Sequence, residues 1–97
     1  MKVDIAKSKV ISYIESIMSI PVEDPLLFID EDTIETAWGW ILYYNGTKYL
    51  TTGDAEFCWV GNVPMYYDWK RNRVGAMWRP DKTIKQLIME YEAKHGY

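Results

Sequence analysis

The stretch "AWGWILYY", residues 37–44, does most to limit what this chain can fold into. Read as an extended segment, it places Trp38, Trp40, Leu42 and Tyr44 on one face and Gly39, Ile41 and Tyr43 on the other. Both faces are apolar. Such a strand belongs at the centre of a sheet, or has one face covered by something outside the fold. Gly39, an isolated glycine within it, marks a bulge or a close backbone approach.

The segments on either side supply the rest of a sheet and two helices. Residues 3–19 carry Ile5 or Ala6, Val10, Ile14, Ile17 and Met18 at helical spacing, and Pro21 ends that helix. "LLFID" (26–30) reads as a strand. Asn45-Gly46 is a strong hairpin signal, which predicts that "TKYLTT" (47–52) returns antiparallel to 37–44. A second hairpin is expected from residues 63–69 and 74–78 around the polar turn "KRNR". In it Met65, Tyr67 and Trp69 share one side, and Tyr66 and Asp68 share the other. Pro80 and Asp81 introduce a helix over 81–94, with Ile84, Leu87, Ile88 and Tyr91 at i, i+3, i+4 and i+7. The expected fold is therefore α+β: one domain over 1–97, with a mainly antiparallel sheet of four to six strands flanked by N-terminal and C-terminal helices. With both helices on one sheet face, a set of rings on the opposite face is left for a partner or a second copy to cover.

Composition narrows the function classes. Aromatic residues make up 15% of the 97 residues, enough large rings for a small core without cross-links. Cys58 is the only cysteine, so no internal disulfide forms and a reducing, cytoplasmic setting is expected. No unbroken apolar run suggests a leader or a membrane span. A net charge of -3 disfavours a phosphate backbone as partner, so neither nucleic acid nor membrane is expected.

The search for a catalytic set finds none. His95 lies two residues from the end of the sequence and reads as a solvated terminal histidine. Cys58, between aromatics in "EFCWV", reads as a small buried thiol. The acidic run Asp30 to Glu35 lacks the oxygen-ligand spacing and turn glycine of a calcium loop, so no metal is expected. The expectation is a binding protein, not an enzyme, with no cofactor.

"GNVPMYYD" (61–68), the strand and turn after it, the closing helix "TIKQLIMEYE" and the upstream "GWILYYNGTKYLTTGD" together resemble the YrhB-like, or immunity protein 35, family. Gly61, Asn62, Pro64 and Asp68 carry the likeness most sharply, supported by Trp40, Tyr91 and Glu92. The family usually has a glycine in the second hairpin turn, whereas this chain has Lys70-Arg71-Asn72-Arg73; Asn72 can take the left-handed conformation instead. The resemblance implies an α+β domain without catalytic residues that binds and neutralises a cognate bacterial toxin. A branch of the family looks like a small chaperone, which gives the alternative.

Two patches are candidates for the partner. Asp30, Glu31, Asp32 and Glu35 lie beside the strand that holds Trp38 and Trp40, so the charges would steer and the rings would anchor. The rival is the tip at Lys70, Arg71 and Arg73 beside Trp69. Net charge and the usual basicity of nucleic-acid-directed toxins favour the acidic patch. Gly61, Asn62, Pro64 and Asp68 are expected to be structural: positive φ at Gly61, a backbone hydrogen bond from Asn62, and Pro64 where a missing N–H is harmless.

Overall fold

A computed structural model describes residues 3–97. Its centre is an antiparallel four-stranded sheet in the order β2 (Ile34–Glu35), β3 (Gly39–Leu42), β5 (Met65–Asp68), β6 (Arg73–Ala76). The strand that is apolar on both faces is, as expected, internal. In register, Trp40 faces Tyr67 and Leu42 faces Met65 on one side of the sheet, while Ile41 faces Tyr66 on the other.

The two long helices cover opposite faces, not one. Helix α1 (Val3–Ile17) lays Ala6, Val10 and Ile14, all buried, against Trp40, Leu42, Met65 and Tyr67. These three residues recur every fourth position, so they form a single line along the helix. Ile5 and Ile17 fall off that line and are exposed, and Met18, which continues the spacing, lies just past the end of the helix and is exposed as well. Helix α3 (Ile84–His95) sets Ile84, Leu87, Ile88 and Tyr91 against Trp38, Ile41, Tyr66 and Met77. It starts in a capping box, with Thr83 Oγ1 accepting from the Gln86 amide at 3.2 Å and Gln86 Oε1 accepting from the Thr83 amide at 2.9 Å. Both aromatic faces are thus covered from within, and neither requires a second copy.

Trp38 belongs to the α3 side rather than sharing a face with Trp40. The cause is a turn just before the strand. The Thr36 hydroxyl accepts from the Gly39 amide at 2.9 Å, and the Thr36 amide donates to the Gly39 carbonyl at 2.8 Å. Alternation begins only at Gly39, so Trp38 escapes it. Gly39 marks a close backbone approach: a Cβ there would stand 1.8 Å from the Tyr67 carbonyl oxygen.

The first hairpin is absent. Asn45-Gly46 ends β4 (Tyr44–Gly46), which pairs antiparallel with β1 (Leu26–Phe28) in a separate two-stranded sheet. Residues Thr47–Thr52 form a short helix, α2. A tight hairpin of this kind needs positive φ at both central residues, and Gly46 sits at φ -73°. Asn45 Oδ1 instead accepts from the Gly46 amide at 2.8 Å and the Trp59 amide at 3.0 Å. Asp24 takes the Lys48 amide at 2.8 Å at the start of α2 and the Trp59 indole at 3.0 Å, bonds that hold its carboxyl below the ordinary carboxylate value. Long-range contacts override the local turn signal.

Candidate functional site

The second hairpin forms where it was expected, and a buried carboxylate organises its tip. Asp68, the last residue of β5, is fully buried. One oxygen accepts from the Arg71 amide at 3.1 Å, which closes the turn. The other accepts from the Tyr91 hydroxyl at 2.7 Å and the Tyr97 hydroxyl at 2.6 Å. Asn72 adopts φ 49°, the conformation glycine would have supplied, and its side chain accepts from the Tyr67 hydroxyl at 3.0 Å. Burial first, then the Asp68 carboxylate, pushes the Tyr91 phenol far above its ordinary value and the Tyr97 phenol up to about 12. The Tyr97 ring also stacks on Trp38 at 5.8 Å with 9° between planes. Tip, helix α3 and the C-terminal tyrosine are therefore one unit.

Positive charge collects on this unit. Among the described residues, Lys70, Arg71, Arg73 and Lys94 make no ion pair; Arg79 pairs with Asp81, and Lys82 with Glu90. Lys70 lies over the rings of Trp69 and Tyr97, at 5.6 and 5.7 Å. Trp69 and Trp78 are both substantially exposed. His95 is not a free terminal side chain. It closes α3 and packs on Tyr91 at 4.3 Å, where desolvation, then Arg71, Lys94 and Arg73, hold its imidazole below its ordinary pKa.

Two grooves meet at β6. On the α3 side, a cavity of about 290 Å³ runs from Arg73 and Lys94 to Trp78 and Arg79, floored by Tyr66 and Met77. On the α1 side, an apolar cavity of about 240 Å³ is lined by Tyr13, Ile17, Met18, Val60 and Met65. Ala76 lines both.

The acidic patch is arranged differently from expectation. Asp30, Glu31 and Asp32 form an exposed 3₁₀ turn, with Asp30 paired to Lys7 at 2.6 Å. Glu35 accepts from the Trp40 indole at 3.2 Å. Trp38 and Trp40, the rings expected to anchor a partner beside these acids, are 0% and 5% exposed. They are core, because α1 and α3 each cover one sheet face. The carboxylates remain on the surface, but without an aromatic anchor from this strand.

The turn residues sit as their chemistry suggests. Gly61 has φ 84°, the Asn62 amide donates to the Tyr44 carbonyl at 2.7 Å, and Pro64 leads into β5 with its carbonyl accepting from the Met77 amide at 2.8 Å. Cys58 is half-buried, not enclosed, with its thiol 3.7 Å from the Asn45 amide nitrogen. Comparison with protein-family models, curated proteins and solved structures finds no match. Sequence reading passed over Lys94, Tyr97 and Trp78 as site residues. Lys94 and Tyr97 are separated from the hairpin tip by more than twenty positions, and only the docking of α3 brings them to it.

Proposed function

We propose that this chain is an immunity protein that binds a cognate bacterial toxin and neutralises it by protein–protein contact, without chemistry of its own. The sequence resemblance at Gly61, Asn62, Pro64 and Asp68 motivates the reading. The observation that carries it is the nearness of cations without ion-pair partners to exposed tryptophans: Arg71 and Arg73 in the turn that follows Trp69, and Arg73 and Lys94 lining the α3-side cavity together with Trp78. Charges that find no partner within the chain raise association rates with an opposite charge, and exposed Trp is a favoured anchor once water is excluded. This shifts the favoured surface from the acidic turn to the hairpin end, and the partner's matching surface to an acidic one. The turn at Asp30–Asp32 keeps its charge but loses its rings to the core.

The test is co-purification from the native host, followed by co-expression of the recovered partner with this chain. The expected result is a toxic partner whose host survives only with the intact protein, and loses protection when Arg71 and Arg73 are both changed to Glu. Recovery of a single partner that is harmless when expressed alone would sink the immunity reading. A second reading, a small chaperone-like binder, draws on the apolar groove at Tyr13, Ile17 and Met18, where Val60 is 97% exposed. It would be favoured by recovery of many unrelated unfolded clients, retained after the Arg71 and Arg73 changes.

A further inference from the structure

Strand β6 is an edge of the four-stranded sheet. Antiparallel pairs alternate between bonded and non-bonded positions. Since the Met77 amide donates to the Pro64 carbonyl, the bonded positions continue at Gly75 and Arg73, opposite Tyr66 and Asp68. Val74 and Ala76 therefore turn their N–H and C=O groups outward. Among the described residues, no backbone bond from another segment reaches them. Free edge groups are a template for a further strand.

The space beyond that edge is already shaped for one. The grooves on the α1 and α3 sides meet at Ala76, so side chains of an added strand would enter them alternately. Residues opposite Val74 and Ala76 would lie on the α1 side, towards Tyr13, Ile17 and Met65, where the lining is apolar. Residues opposite Arg73 and Gly75 would lie on the α3 side, where Arg73 and Lys94 carry no ion pair. We propose that an extended segment of the partner, alternating acidic and apolar residues, adds to β6 as a fifth strand between α1 and α3. A second copy of this chain fits the same edge less well. Its β6, Arg73–Ala76, carries no acidic side chain to set against the Arg73 and Lys94 of the α3-side groove and offers a further arginine instead.

The inference rests on the binding role proposed above, and its test can fail independently. The probe is a blocked peptide of alternating Glu and Val, compared with one of alternating Lys and Val, and binding is followed by tryptophan fluorescence. The expected result is binding of the Glu–Val peptide, at least about tenfold tighter than the Lys–Val peptide. The amides of Val74 and Ala76 should become protected from hydrogen exchange in the complex. Ala76→Pro removes an outward N–H that the fold does not use, a place where edge strands tolerate proline. It should weaken the peptide at least about tenfold at an unchanged melting midpoint. If that variant does not fold, the same loss is expected from a peptide N-methylated at alternate residues on its sheet-facing side. Absence of peptide binding, unprotected Val74 and Ala76 amides in the complex, or indifference to both changes would overturn strand addition. So would a wild-type dimer in sedimentation with those amides already protected, because the second copy would then hold the edge. If loss of the native partner follows Arg71→Glu and Arg73→Glu but not Ala76→Pro, the basic end binds its partner by another geometry. If the peptide binds while the recovered partner proves harmless, only the immunity reading fails.

Discussion

Asp68→Asn tests whether the buried carboxylate organises the hairpin end. The replacement keeps size and shape but removes the charge and turns one acceptor into a donor. Three donors now converge on Asp68: the Arg71 amide and the hydroxyls of Tyr91 and Tyr97. A hydrogen bond to a charged group contributes about 1.5–3 kcal/mol, against about 1 kcal/mol for a neutral pair, so weakening all three costs roughly 1.5–6 kcal/mol. The asparagine oxygen can serve the amide or the hydroxyls, not both, which places the expectation near the middle, at about 3–4 kcal/mol. That is a large part of the ~5–15 kcal/mol stability usual for a domain. Urea unfolding followed by tryptophan fluorescence measures it, and the Trp38 ring stacked on Tyr97 reports the same region. Exchange of the Arg71 amide should quicken as the turn loosens. A loss below about 0.5 kcal/mol at an unchanged m value would refute the reasoning, since a surface substitution does as much.

Other perturbations follow from the same geometry. Gly39→Ala should yield little folded protein, because the new Cβ would meet the Tyr67 carbonyl at 1.8 Å; a normal melting curve would show that β3 can move aside. His95 titrates below its ordinary value in the folded chain, so the unfolded state takes up its proton first as pH falls. Stability from this source is complete above pH 6.5 and is lost on acidification through it, and His95→Gln should lose less between pH 7.5 and 5.5 in paired urea titrations. Tyr97 titrates above its ordinary 10, so its contribution is complete below that value and lost as pH rises towards about 12. Tyr97→Phe should flatten the alkaline limb of the melting curve, and an equally steep limb would contradict the Asp68 assignment.

Local signals were legible where local forces decide. The apolar line of α3, the hairpin from Met65 to Ala76, the left-handed Asn72, the positive φ at Gly61 and the close approach at Gly39 can all be read from neighbouring residues. Asn45-Gly46 misleads because Asp24 and Trp59, distant in sequence, hold that segment in a strand and start α2 after it. Trp38 misleads because the Thr36 turn delays the alternation until Gly39. The side on which each helix docks is set by tertiary packing, which periodicity does not encode. That choice decided the candidate site, since it buries Trp38 and Trp40 and leaves Trp69 and Trp78 as the exposed tryptophans near charge.

The most direct test of binding through the basic hairpin end is the association rate with the co-purified partner, measured against ionic strength. Steering by unlike charges makes the rate fall as salt rises, while nearby mutations away from the contact leave that slope alone. A steep fall is expected for the wild type, and a flattened, slower profile for Arg71→Glu with Arg73→Glu. No change is expected for Asp30→Asn with Glu31→Gln and Asp32→Asn. A profile untouched by the arginine changes but flattened by neutralising the turn at Asp30–Asp32 would contradict binding through the basic hairpin end, and would place the partner at the acidic turn instead.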